Sequence, residues 1–173
     1  MRKKAFSLVE LMVSISIIVI FSSFFIAYSF ENKSCVVASE LEKLFLTFSY
    51  LQQKAMASGQ EQELFFDCNC NEYYYGMPNG KRCTTKLHSF VMFGFFRGSK
   101  GPPGKAVNEI CTPVTFPLKN NILTATFFPD GKISPGTVYL IDRNKKEMRA
   151  LTSPIAPVFN LRKYRYDKEK WVQ

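Results

Sequence analysis

The first third of this 173-residue sequence contains no glycine and no proline; the earliest of each are Gly59 and Pro78. The residues that most readily punctuate a chain are missing there, which excludes a loop-rich start and favours one long helix. All nine glycines and all nine prolines come later, so the remainder reads as a loop-rich, mainly β domain. The length suits one domain with an appended element rather than two ordinary domains. Histidine is scarcer still. The single His88 has no cysteine or acidic partner near it in sequence and reads as strand or loop surface. No Ser/His/Asp set or pair of carboxylates stands out, so the chain reads as a non-enzyme with neither cofactor nor metal. Apolar material is plentiful, at 46% of residues with 17 phenylalanines, and a core is within reach.

Charge is nearly absent from Phe6 to Phe30, where Glu10 is the one charged residue, while Arg2, Lys3 and Lys4 form a basic cluster just before. As a helix the run is roughly 37 Å long, against a hydrocarbon core of ~30 Å. The basic cluster leaves the N-terminus in the cytoplasm and sends the rest across. A plain signal anchor that keeps Met1 through Ala5 is one reading. A secretory signal peptide cut near Ala27-Tyr28-Ser29 is another. Neither accounts for a carboxylate so early in the run, which costs roughly 2.5–3.5 kcal/mol in a membrane and needs a partner.

The segment Lys4-Ala5-Phe6-Ser7-Leu8-Val9-Glu10-Leu11-Met12-Val13 resembles the processing signal of type IV prepilins and type II secretion pseudopilins. The resemblance implies a dedicated prepilin peptidase that cuts between Ala5 and Phe6 and methylates the new N-terminus at Phe6. Glu10 then becomes the assembly carboxylate, placed to pair with an amine of its own or a neighbouring subunit. The family usually has Gly before the cut, where this chain has Ala5, the next smallest residue. The implied organisation is a leader at 1–5, a transmembrane half-helix at 6–30, an amphipathic half-helix at 31–58 and a β-rich periplasmic domain at 59–173. The implied location is the bacterial inner membrane, then a filament of pilins or pseudopilins.

Beyond the apolar run, Val37, Leu41, Leu44, Phe48, Leu51 and Ala55 alternate in steps of four and three and share one helical stripe. Glu31, Lys33, Glu40, Glu42, Lys43 and Lys54 are expected on a solvated or subunit-facing surface, and Gly59 at the helix stop. If helical throughout, Phe6 to Ser58 spans roughly 80 Å. Strands are expected at 62–67, 89–96, 114–118, 123–128, 137–142, 148–151 and 158–166. The separating turns are Pro78-Asn79-Gly80, Pro129-Asp130-Gly131 and Ser134-Pro135-Gly136. The predicted fold class is α+β: a long N-terminal helix whose outer half packs on an antiparallel sheet or small sandwich. Tyr50 to Gly59 with Glu63 to Asp67, and Thr126 to Lys132 with Thr137 to Asp142, resemble the helix-to-strand passage and late hairpin of the GspH/FimT group. That group includes minor pseudopilins of type II secretion and type IV pilus counterparts associated with DNA uptake.

Of five cysteines, Cys68, Cys70, Cys83 and Cys111 fall in the β-rich part, where an oxidising compartment favours two disulfides. Cys68 and Cys70 would each pair with Cys83 or Cys111; a four-cysteine zinc site is the alternative, though Cys-x-Cys lacks the usual zinc-knuckle gap. Cys35 reads as a small packed hydrophobe. Ser99 to Ala106 misses the P-loop pattern at both ends and carries two prolines, and Gly98, Gly101 and Gly104 are too few for a collagen repeat. The chain is +9 overall. In the tail, Arg162, Lys163, Arg165, Lys168 and Lys170 interleave with Tyr164, Tyr166 and Trp171. Such a mixture can hold phosphates and stack on bases, or be a solvated last strand with one basic and one aromatic face. The tail lacks the Gly-Arg-x-Arg run of DNA-binding FimT members.

Overall fold

The computed structural model describes residues 8–31, 33–76, 80–103, 108–154, 161–167 and 169–173, and for 24–34 no side chains. The chain divides into two units, Met1–Ser34 and Cys35–Gln173.

In the first unit, α1 (Leu8–Glu31) is apolar on every side, with Leu8, Met12, Ile18 and Phe21 all exposed. Its serines do not interrupt this character. Ser14, Ser16 and Ser23 turn their hydroxyls back to donate to the carbonyls of Glu10, Met12 and Val19 at 2.8–2.9 Å, satisfying the polar groups within the helix itself. Among the described residues no helix is long and apolar enough to cross a membrane. The ends of the sequence run, Phe6 and the side chains from Phe24 to Phe30, lie outside them.

In the second unit, α2 (Lys33–Ser58) packs as the periodicity predicts, with Val37, Leu41, Leu44, Phe48, Leu51 and Ala55 all buried. The single helix expected from Phe6 to Ser58 passes through residue 32, which lies outside the described residues. Gly59 closes α2 at φ +65°, its N–H donating to the Ala55 carbonyl at 3.0 Å, the left-handed cap that glycine permits. Two expectations for this helix fail. Glu40 is 2% exposed, because on a 3.6-residue wheel it borders the stripe just beyond Leu51 rather than lying on the solvent side. Cys35 is exposed, because it lies opposite that stripe.

The β domain is two antiparallel five-stranded sheets. The first contains β1 (Gln62–Asp67), β2 (Glu72–Gly76), β3 (Arg82–Lys86), β5 (Leu118–Lys119) and β6 (Ile122–Phe127), in the order β3-β2-β1-β6-β5. The second contains β4 (Val91–Phe93), β7 (Gly136–Asp142), β8 (Met148–Ser153), β9 (Arg162–Asp167) and β10 (Lys170–Val172), in the order β10-β9-β8-β7-β4. The strands expected at 62–67, 123–128, 137–142 and 148–151 are β1, β6, β7 and β8 within two residues at each end. The strand expected at 89–96 shrinks to β4, and 114–118 reduces to one bridge, Val114 to Val138, before β5. The hairpin β2–β3 and the short β10 were not expected, since Glu72–Gly76 and Arg82–Lys86 lack an apolar–polar alternation. Asn120 and Asn121, at φ +52° and +63°, make the tight β5–β6 turn, asparagine being one of the few residues that tolerate that backbone.

α2 and the inner faces of both sheets form one core. Phe48 is its hub, with ring centroids 5.2 Å from Phe127, 5.8 Å from Phe116 and 6.3 Å from Phe66. A smaller cluster covers the other face of the second sheet, built from Ile110, Tyr139, Ala150 and Tyr164 with Phe95 and Trp171 against it.

Two tests follow from this packing. A Cβ on Gly136 would lie 2.5 Å from the Phe116 ring, so Gly136→Ala should cost about 1–3 kcal/mol in urea unfolding, and much less when combined with Phe116→Leu. Wild-type stability in the single variant would show the ring free to move. Burial pushes the Tyr139 hydroxyl up to about 12, whereas in the unfolded chain it titrates near 10. The unfolded state therefore releases its proton first, and stability is lost as pH rises from about 10 to 12. Tyr139→Phe should flatten this alkaline loss, and an unchanged pH–stability curve would discount burial as its cause.

Candidate functional site

Glu10 stands in the first described turn of α1. It is set among exposed Leu8, Val9, Leu11, Met12 and Val13, so an ionisable group is presented from an otherwise apolar surface. Ala5 and Phe6 lie outside the described residues.

All five cysteines are free thiols in the structure, and the expected disulfides are not formed. The strand register gives the reason for Cys83. It pairs with Tyr75, which pairs with Leu64, so Cys83 is level with Leu64 two strands away. Cys68 lies four residues further along, about 13 Å in the strand direction, where a disulfide needs Cα atoms within about 7 Å. Cys70, in the same β1–β2 turn, is equally out of reach. Cys68 and Cys70 are not activated either. The Asp67 carboxylate accepts from the Cys70 thiol and raises its pKa, burial raises that of Cys68, and both shifts lower the thiolate fraction that chemistry would need. Asp67 itself is held low by the backbone N–H of Cys70, at 3.0 Å from Oδ1. Among the described residues no three His, Cys, Asp or Glu side chains converge on one point.

The basic tail is less available than its sequence implies. Lys163 Nζ is 2.8 Å from Glu42 Oε2 on α2 and 4.3 Å above the Phe45 ring. Arg165 is 3.9 Å from Asp167, Arg162 is half-buried, Lys170 is exposed, and Lys168 lies outside the described residues. The aromatic residues turn the other way. Tyr164 is 4% exposed. Trp171 packs 5.0 Å from Tyr166 and 6.0 Å from Tyr139, and its Nε1 donates to the Lys100 carbonyl at 2.8 Å. β9 is therefore a strand with one face in a packed cluster and one in solvent, and its rings are engaged in packing.

Sequence reasoning missed a buried polar pair. Glu40 Oε1 accepts from Lys43 at 2.7 Å, which raises the Lys43 pKa. Glu40 Oε2 is buried with no hydrogen-bond partner among the described residues, and the Tyr73 hydroxyl is buried nearby beside Thr47 and Thr85. The signal was available in the helical wheel position of residue 40. His88 is exposed and stacks on Phe90, centroids 5.7 Å apart, as its reading as surface implied.

Three comparisons with known proteins bear on these features. No curated protein matches the chain. Among solved structures it has a likeness to the minor pseudopilin EpsH from the Type 2 Secretion System of Vibrio cholerae, with 13% identity, 74% of this chain and 94% of that chain covered, and a TM-score of 0.46. Residues 1–26 match the family model described as the prokaryotic N-terminal methylation motif, so the chain carries a methylation motif over the basic cluster, Ala5, Phe6 and Glu10.

Proposed function

We propose that this chain is a membrane-anchored, prepilin-like precursor of a structural filament subunit, a minor pseudopilin of a type II secretion system, and not an enzyme. The observation that carries the reading is the N-terminal methylation motif over residues 1–26, continued by an apolar helix. In this reading a prepilin peptidase cuts between Ala5 and Phe6 and methylates the Phe6 amine. Glu10 is costly alone in lipid. It becomes favourable when a neighbouring subunit supplies an amine, which couples departure from the inner membrane to joining a filament of other pseudopilins. The β-rich unit then stands in the periplasm. The passages around Tyr50–Asp67 and Thr126–Asp142 resemble the GspH/FimT group, which holds both pseudopilins and pilus counterparts. A FimT-like minor pilin that binds DNA during uptake is the alternative. The engagement of Lys163 with Glu42, and of Arg165 with Asp167, weighs against it.

Processing is tested by co-expression with a prepilin peptidase. Mass spectrometry should find the chain five residues shorter with methylated Phe6 first; an intact leader, or a start at Phe30, overturns the reading. Assembly is tested separately. Glu10→Ala should insert in the membrane as well as the parent or slightly better, yet be depleted from sheared filaments. Equal incorporation of parent and variant would remove the amine-pairing role.

A further inference from the structure

One end of the Cys35–Gln173 unit carries an exposed aromatic and a set of exposed cations. Along α2, Gln52 Nε2 donates to the Gly131 carbonyl at 2.6 Å and Lys54 Nζ reaches the Gly76 carbonyl. Glu40 and Lys43 instead lie close enough to Tyr73 to act on its hydroxyl. The helix therefore begins toward the β1–β2 turn. Asn71 in that turn ties in the next segment: its carbonyl accepts from Leu87 N–H at 2.9 Å, and its Oδ1 from Phe93 N–H at 3.0 Å. The turn between them, 88–90, is at the same end. There the Phe90 carbonyl accepts from Arg143 N–H at 2.9 Å, which joins the β7–β8 loop to it.

Phe90 is 53% exposed and stacks on His88. Around it Lys86, Arg143, Lys145 and Lys146 are exposed, with no ion pair among the described residues. Of the acidic groups of this end, Asp167 and Glu169 stay exposed where the register sets the end of β9 level with the β7–β8 loop, Asp167 beside Arg165 at 3.9 Å. Those nearest Phe90 are drawn inward. Asp142, half-buried, accepts the backbone N–H groups of Asn144, Lys146 and Glu147 at 3.1, 2.6 and 2.8 Å. Glu147 pairs with Arg149 at 2.7 Å, Asp67 accepts two turn amides, and Glu72 is half-buried. Outward, the loop offers cations and an aromatic ring.

We infer that this end of the domain docks on anionic phospholipid headgroups, with Phe90 seated among them and Arg143, Lys145 and Lys146 against their phosphates. Charge complementarity identifies the partner, since an anionic membrane surface attracts clustered Lys and Arg while an apolar ring enters the headgroup boundary. The inference rests on the anchored reading above. Cys35 follows the end of the apolar run, Phe30, by only a few residues, so a membrane surface is the nearest large anionic surface in that reading.

The test uses the full chain with Phe90→Trp and Trp171→Phe, reconstituted in vesicles of brominated phosphatidylcholine with or without phosphatidylglycerol. Resistance to alkaline extraction, scored on the same vesicles, reads the anchor; quenching of the indole reads the docking. Quenching should appear with phosphatidylglycerol, weaken in its absence and weaken at high salt. Each exposed cation near such a surface favours contact about fivefold, so Lys145→Gln with Lys146→Gln should lower the docked fraction on the order of 25-fold while extraction resistance stays unchanged. Three results would overturn the inference: an unquenched indole in chains that resist extraction, quenching that ignores headgroup charge, or an indole that responds to duplex DNA in detergent and not to brominated anionic lipid. A chain stripped by alkali removes the anchored reading alone, and quenching in that sample still decides the docking. Should the Trp171→Phe background fail to fold, a spin label on Phe90→Cys in a chain with its native cysteines replaced by Ser gives the same depth readout.

Discussion

The second unit depends on one seam, the stripe of α2 against the inner faces of two sheets. Neither sheet has an apolar inner partner of its own apart from the other sheet and this helix, and the Phe48 ring touches residues of the first sheet and of the segment leading to β5, which bridges to β7 through Val114. A buried aromatic at such a junction is worth several kcal/mol, typically ~3–5 on truncation. The remaining features hang from it: the sheets take their positions from the helix, and the loops take theirs from the sheet ends. The helix is thus scaffold for the domain on one face and carrier of charged groups such as Glu42 and Lys43 on the other.

What the sequence made legible follows the strength of periodic signals. The stripe from Val37 to Ala55 and the stop at Gly59 could be read because a 3.6-residue period and a left-handed cap are local properties. β1, β6, β7 and β8 could be read for the same reason. β2 and β3 could not, because Tyr73, Tyr74 and Tyr75 run without alternation and the strand identity of Arg82–Lys86 comes only from pairing with β2. Glu40 shows the opposite error, a charge placed outside by its chemistry when its wheel position set it at the border of the buried stripe. The cysteine pairing failed because spacing along the chain says nothing of register: Cys83 belongs to the far end of its hairpin from Cys68. The five residues of the basic tail were legible as charges, but their partners Glu42 and Asp167 were not legible as partners. Of the N-terminal site, Glu10 was legible from its isolation in an apolar run.

Many ionisable groups of the described residues are engaged locally. Thiols near carboxylates have raised pKa values, carboxylates in turns are occupied by backbone amides, and rings in the tail are occupied by one another. Groups arranged in this way are spent on holding turns and clusters, and what they leave facing outward is charge and shape.

The order of the strands has a consequence for how the chain reaches this state. β1 pairs with β6, and β4 pairs with β7, so each sheet joins strands that are distant in the sequence. The five strands of the first sheet all lie within 62–127, whereas β4 finds its neighbour only after that sheet's last strand. Each of these closures must meet the entropy of a long intervening loop before contacts repay it. A chain that emerges across a membrane from its N-terminal side onward could close the first sheet early but would leave the β4 edge open until β7 arrives, and it would need to stay unaggregated for that interval.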